Sequence, residues 1–264
     1  MTSPFSSKPI HEAAQRGYTS ASDNYQRGRP EYPEALTAWM SGTLGVTAGS
    51  RVVDLGAGTG KFTKLLACTG AAVTAVEPVD AMRARLSESL PGVSALAGSA
   101  EAIPLADESV DLVICAQAFH WFANAQALVE MHRVLRPGGR LGLVWNVRDE
   151  SHDWVAAITE IITPYEGDAP RFYTGKWKRP FEDQTLFGPL TRTVFPHSHV
   201  GSFDQVVIDR ILSVSFIAAL PQAEQRSIEQ RLRALRDRFP ELRAETIAFP
   251  YATEAWLAER LGAA

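Results

Sequence analysis

Residues 52–61 read VVDLGAGTGK: an apolar run, an acid at Asp54, then Gly56, Gly58 and Gly60 at every second position. Glycine removes a side chain where the backbone must bend sharply or let a ligand come close. A helix that starts after such a turn presents unpaired N–H groups and the positive end of its dipole. The turn is therefore suited to an anionic group, and three ligand classes use turns of this kind. A phosphate loop needs GxxxxGK[ST], yet Leu55 stands where its first glycine belongs and Phe62 where its metal-binding hydroxyl belongs, which disfavours ATP and GTP. A dinucleotide fingerprint needs GxGxxG, but Lys61 replaces its last glycine and Asp54 sets a negative charge beside any pyrophosphate, which disfavours NAD without excluding it. S-adenosylmethionine carries no phosphate and offers an ammonium, a carboxylate and a sulfonium, so an acid beside a nest of backbone N–H groups suits it.

That chemistry requires a strand to deliver the acid and a helix to follow the glycines. Residues 51–147 alternate strand-like and helix-like stretches, the pattern of a parallel sheet with helices on its faces. The order Asp54-Leu55-Gly56-Ala57-Gly58-Thr59-Gly60 resembles the first motif of the Rossmann-like, S-adenosylmethionine-dependent methyltransferases. Residues 72–78, AVTAVEP, resemble that family's second strand and end in Glu77, to which the resemblance assigns both ribose hydroxyls. Glu77 follows Asp54 by 23 positions, close to the roughly 20 expected between glycine turn and ribose acid. Gly98-Ser99-Ala100-Glu101, then Ile103-Pro104-Leu105 and a strand over 110–116, resemble the adenine-binding loop and fourth strand. Residues 130–140, EMHRVLRPGGR, resemble the helix, Pro-Gly-Gly turn and fifth strand. The chain is thus similar to the type 11 methyltransferases. Residues 210–221 with Phe249-Pro250-Tyr251 extend the likeness to a branch distantly similar to trans-aconitate methyltransferase.

The resemblance implies S-adenosylmethionine as cofactor. Its methionine part would lie on Asp54, Gly56, Ala57, Gly58, Thr59 and Gly60, its ribose on Glu77 and Pro78, and its adenine on Met82, Ser99, Ala100 and Glu101. Ser99 stands where many relatives carry an acid for the adenine amino group, so that contact is weaker or passes to Glu101. By spacing alone Met82 equally fits a core methionine. Tyr25, Arg29, Pro30 and Tyr32-Pro33 match the family's Tyr…Arg-Pro-x-Tyr-Pro segment, in which the arginine meets the methionine carboxylate. Tyr18 and Tyr25 would close the site against water. An ordinary surface arginine is the other reading of Arg29.

Methyl transfer asks mainly for positioning, because the sulfonium already activates the methyl group; the acceptor must sit in line at about 3 to 3.5 Å with water excluded. Residues 116–122, AQAFHWF, follow the fourth strand at the carboxyl edge of the sheet and should wall this site. Gln117 and His120 are the candidate catalytic residues: Gln117 contacts cofactor or acceptor through its amide, and His120 acts either as a base near neutral pH or as a packing and orienting group. Tyr18, His120, Trp121, Trp145 and Trp177 are the candidates on the substrate side. Between Arg171 and Arg179, RFYTGKWKR holds four cations and no acid, which fits either a lid for an anionic acceptor or a solvated loop. The Asn/Asp-Pro-Pro-aromatic signature of nucleobase and glutamine methylation is missing after the fourth strand. Its absence counts against DNA and partly against RNA.

The expected fold is α/β: a Rossmann-like, doubly wound, mostly parallel sheet with an antiparallel last strand. The expected layout is an N-terminal cap over 1–45, the cofactor-binding core over 46–149, a helical insertion or lid over 150–189, and C-terminal strands and helices over 190–264 completing the same domain. At 264 residues, 45% hydrophobic and 21% charged, the chain can bury a sizeable core. A formal charge of −4 leaves no global footprint for nucleic acid or an anionic membrane. Arginines at 226, 231, 233, 236 and 238 lie on a helix whose apolar face is Ile228, Leu232, Leu235 and Phe239; they read as a solvated face before an RNA footprint. Cys68 and Cys115 are too few for a disulfide scaffold or a zinc cluster and are expected as buried thiols, and no metal is expected. No apolar stretch reaches the roughly 18 residues of a membrane span, and the first ten residues lack a signal-peptide core, so a cytoplasmic protein is expected. The reading is methyl transfer to a small molecule, on a carboxylate or hydroxyl oxygen. Methylation of tRNA or protein, or a regulator that binds the cofactor without transfer, are the alternatives.

Overall fold

The computed structural model describes residues 28–262. The expectations for Tyr18 and Tyr25, and most of the cap expected over 1–45, lie outside the described residues. Short β-branched runs form the parallel strands β1 (Arg51–Leu55), β2 (Ala72–Val76), β3 (Ser94–Leu96), β4 (Val110–Ala116) and β5 (Leu135–Arg148). Two later strands, β6 (Thr191–Gly201) and β7 (Ile247–Glu259), extend the sheet, with β7 antiparallel to both β5 and β6. The spatial order is β3-β2-β1-β4-β5-β7-β6. Chain direction therefore reverses its lateral course between β1 and β4, the switch point where open α/β sheets leave a crevice at their carboxyl ends.

Both faces of the parallel strands are buried, so the strands are nearly continuously apolar. Val52, Leu112 and Ile114 point to one face, against helices α1 (Ala35–Gly42) and α2 (Lys61–Ala67). Val53, Val113 and Cys115 point to the other. Beyond α3 (Asp80–Ser89), α4 (Ala125–Val134) covers that second face with Ala127, Leu128, Met131 and Val134. A third core joins α5 (Asp153–Ile162) and α6 (Gln222–Arg238) to Phe203, Val207, Phe249 and Tyr251. The stretch 150–189 is divided between cores: α5 belongs to the third, whereas Trp177 and Phe187 pack into the core covered by α4.

The last strand, β7, runs from Ile247 to Glu259. The segment over 204–219 is helical but interrupted: Asp204–Asp209 is a π-type turn, and a new short helix starts at Ser215 after the extended Val214. One local expectation needs correction. Cys115 is buried, but Cys68 is exposed, because it caps the last turn of α2 on its outer side. The Pro137-Gly138-Gly139 turn lies within β5 as an irregularity: Leu135 pairs with Val110 and Arg140 with Leu112, so the intervening residues leave the ladder, helped by a left-handed Gly138 at φ 75.

Candidate active site

A cavity of about 490 Å³ opens at the carboxyl ends of β1, β2 and β4. Its floor is the strand-to-helix turn. β1 delivers Asp54, which is 1% exposed. Asp54 Oδ2 accepts a 2.6 Å bond from Thr63 Oγ1 on α2, while Oδ1 is buried without a hydrogen-bond partner. Burial pushes the Asp54 carboxyl up to about 7, with the Glu77 charge adding and the Thr63 bond opposing. Gly56, Gly58 and Gly60 all hold left-handed backbone, at φ 73, 58 and 87. At Gly56 a side chain is also barred by space, since a Cβ would lie 2.7 Å from the Ala118 Cβ. Gly56, Ala57, Gly58 and Thr59 line the cavity. Gly60 does not: its missing Cβ leaves room for Leu86 of α3, so its part is to pack the turn.

Glu77 and Pro78 follow β2. Glu77 is 5% exposed, and its two oxygens accept backbone N–H bonds from Gly58 at 2.8 Å and Val79 at 2.9 Å. The carboxylate thereby ties the glycine turn to the next loop. Burial raises its pKa, and the two backbone bonds pull the other way. Each oxygen keeps a further lone pair for a ligand. Met82, Ser99, Ala100 and Glu101 line the adjoining wall. Asn124 Nδ2 donates to Glu101 Oε1 at 2.9 Å while Asn124 Oδ1 caps α4 at the Ala127 N–H, so one side chain fixes both helix and loop.

Beyond the mouth of β4 a second, smaller cavity of about 110 Å³ adjoins the first. Arg29, Gln117, His120, Trp121, Asn146 and Arg210 line both. Gln117 holds left-handed backbone at φ 58 and donates from Nε2 to the Asn146 carbonyl at 3.3 Å. Trp145 Nε1, which can only donate, meets His120 Nδ1 at 3.1 Å. His120 Nδ1 is therefore an acceptor and the ring proton sits on Nε2. Burial pushes the His120 pKa down to about 3, and Arg171 and Arg29 push it further the same way. The side chain is neutral across the working range of an enzyme.

One substrate-side expectation lands elsewhere. Trp177 is 2% exposed and reaches neither cavity; it sits 4.7 Å from Trp145 and 5.6 Å from Phe172 between ring centroids, with the edge of Trp256 at 5.3 Å. Trp145 lines only the smaller cavity. Within the basic run, Lys176 and Lys178 are exposed and off both cavity walls, with Lys178 Nζ over the Trp256 ring at 4.4 Å. Of the four cations in that run only Arg171 turns inward, beside Glu166 at 3.3 Å. Asn146, Arg148 and Arg210, which share the smaller cavity with it, were not among the site residues the sequence offered, although Arg210 belongs to the 210–221 pattern. Among the described residues no group of three or more His, Cys, Asp or Glu could hold a metal ion.

The model of a family described as a methyltransferase domain matches residues 53–143, the stretch that builds this floor. An uncharacterized methyltransferase-like protein of Schizosaccharomyces pombe is 39% identical over 239 residues, spanning 90% of this chain and 93% of the relative. The chain belongs to the methyltransferase-domain family. An uncharacterized methyltransferase of Mycobacterium tuberculosis is 42% identical to it over 241 residues, 89% of this chain and 92% of the relative. A putative type II methyltransferase of known structure from Anaeromyxobacter dehalogenans superposes with a TM-score of 0.60 at 22% identity, over 88% of this chain and 96% of that one, and so shares the Rossmann-like fold. The methyltransferase uses S-adenosylmethionine. Its cavity fits that cofactor on local grounds too: an orphaned buried carboxylate oxygen at Asp54, a turn stripped of side chains, and a two-oxygen acceptor at Glu77.

Proposed function

We propose that this methyltransferase acts on a small molecule and transfers the methyl group to an oxygen, a carboxylate or a hydroxyl, in the cytoplasm. When bound, S-adenosylmethionine supplies a methyl group already activated by its sulfonium. Asp54 and the turn from Gly56 to Thr59 would hold the methionine part, Glu77 and Pro78 the ribose, and Met82, Ser99, Ala100 and Glu101 the adenine. Arg29 borders the same cavity and would face the methionine carboxylate. The observation that carries the choice of acceptor is the make-up of the passage between the two cavities. None of its six residues is a base: His120 has its acceptor nitrogen engaged by Trp145 and offers only an N–H. An acceptor that arrives ionised, as a carboxylate does, needs no proton removed. His120 and Gln117 then orient the acceptor and exclude water.

Incubation with labelled cofactor and a panel of carboxylic acids and phenols, read by mass spectrometry, should give a methylated small molecule. Alkali-labile label marks an ester and alkali-stable label an ether. Label on nitrogen, RNA or protein would overturn the reading, and binding without transfer to any acceptor would favour a regulator. Because Asp54 is protonated below about 7 in the ligand-free protein, affinity for the cationic amino-acid end should fall as pH drops below that value. Calorimetry should show weakening toward pH 5.5 in the wild type and a flat profile in Asp54→Asn. The sign for stability is opposite. The folded form holds a proton that an unfolded Asp would release near 3.9, so the contribution of Asp54 to ligand-free stability is lost as pH climbs from about 4 to about 7.

A further inference from the structure

The smaller cavity is lined by four arginines, Arg29, Arg148, Arg171 and Arg210, and by one acid, the exposed Glu150. Just outside the lining, Glu166 pairs with Arg171 through Oε1 at 3.3 Å while its Oε2 accepts from the Tyr173 hydroxyl, which leaves Arg148 and Arg210 without such a carboxylate partner among the described residues. Arg210 is 8% exposed; its Nε donates to the Tyr251 hydroxyl at 3.0 Å, but its Nη1 is buried without a hydrogen-bond partner. Arg148 Nε is buried without one as well. Unpaired buried donors on charged groups are rare, and each needs an explanation. Burial lowers the pKa of Arg148, Arg171 and Arg210; Tyr251 opposes this at Arg148 and Arg210 and Glu166 at Arg171, while neighbouring guanidinium groups push each down. Gathering these like charges therefore costs the ligand-free fold stability. At about 110 Å³ the space admits a carboxylate or phosphate group.

We propose that Arg148, Arg171 and Arg210 form a subsite for an anionic group of the acceptor, a carboxylate or phosphate that is gripped there and not itself methylated. This rests on the proposed methyl transfer to a small molecule. The subsite meets the cofactor cavity across His120 and Gln117, so an acceptor anchored by its anion extends a second, reactive oxygen through that passage. Guanidinium forks match the planar or tetrahedral oxygens of such anions and supply charge-assisted hydrogen bonds. His120 Nε2–H adds a neutral donor at the passage.

The test uses the full chain saturated with S-adenosylhomocysteine. Succinate and inorganic phosphate are titrated separately against a chloride control of equal ionic strength, with melting temperature as readout. In the wild type at least one of the two should raise Tm saturably beyond chloride, and the arm that responds identifies the anion as carboxylate or phosphate. Arg148→Met should melt at or above the wild-type temperature without anion, because a buried like charge is gone. It should bind the responding anion about tenfold or more weakly, and Arg148→Lys should recover part of that loss. Its affinity for S-adenosylmethionine should be unchanged, since Arg148 lines only the smaller cavity. No shift beyond chloride with either anion, an equal shift in Arg148→Met, or a lower Tm for that variant without anion would each overturn the proposal. Failure of methyl transfer to any small molecule would instead fall on the proposed function, and it is read in a separate assay.

Discussion

Replacing Glu77 by Ala should weaken binding of S-adenosylmethionine by about 1.5 to 3 kcal/mol, the worth of hydrogen bonds to a charged group, or roughly 10- to 150-fold in Kd. Two losses combine. The carboxylate would no longer accept from the ribose, and the N–H groups of Gly58 and Val79 would lose the acceptor that now holds the turn against the β2 loop. Glu77→Gln separates them: it keeps one acceptor oxygen but places an NH₂ where a backbone N–H points, so it should lie between wild type and Ala. Calorimetry measures both variants. Unchanged affinity in the Ala variant would place the ribose elsewhere.

Gly56→Ala should be among the most damaging single-methyl changes in the chain. The left-handed backbone at φ 73 costs a side chain about 1 to 2 kcal/mol. The added Cβ would also lie 2.7 Å from the Ala118 Cβ, and overpacking of that kind adds about 1 to 3 kcal/mol. Their sum, on the order of 2 to 5 kcal/mol, corresponds to a drop in Tm of roughly 5 to 15 °C. Gly58→Ala is the internal control. It shares the left-handed backbone at φ 58, but its Cβ would meet nothing nearer than the Met82 sulfur at 3.9 Å, so it should lose only the backbone contribution. Equal melting temperatures for the two variants would show that contact with Ala118 does not limit the turn.

The parallel half of the sheet was legible because its signals are local. β4 falls on the residues the apolar run predicts, and the spacing from Asp54 to Glu77 brings both acids to one cavity, since each ends a neighbouring parallel strand. The smaller cavity was legible only in part: Gln117, His120, Trp121 and Trp145 came from the sequence, but the gathering of its arginines did not. Arg29, Arg148, Arg171 and Arg210 are scattered over most of the chain, and a lone arginine gives no local sign of whether it points inward. Trp177 was misplaced for a related reason. In an irregular stretch no periodicity tells an inward ring from a cavity-facing one, and here the apolar stack with Trp145, Phe172 and Trp256 wins. The end of β7 was not legible, because residues 253–259, TEAWLAE, hold good helix formers; pairing on both edges outweighs that preference.

The position of β7 between β5 and β6 has a consequence for synthesis on the ribosome. Asp54, the glycine turn, Glu77 and the loop over 98–101 all lie before β5, so most of the residues proposed for the cofactor are made while translation continues. The arginine chamber cannot be complete by then, because Arg210 is steadied by the hydroxyl of Tyr251 and Asn146 by Thr253, both supplied by β7. A nascent chain stalled before that strand emerges would carry the residues proposed for the methyl donor and yet lack the strand that steadies those proposed for the acceptor.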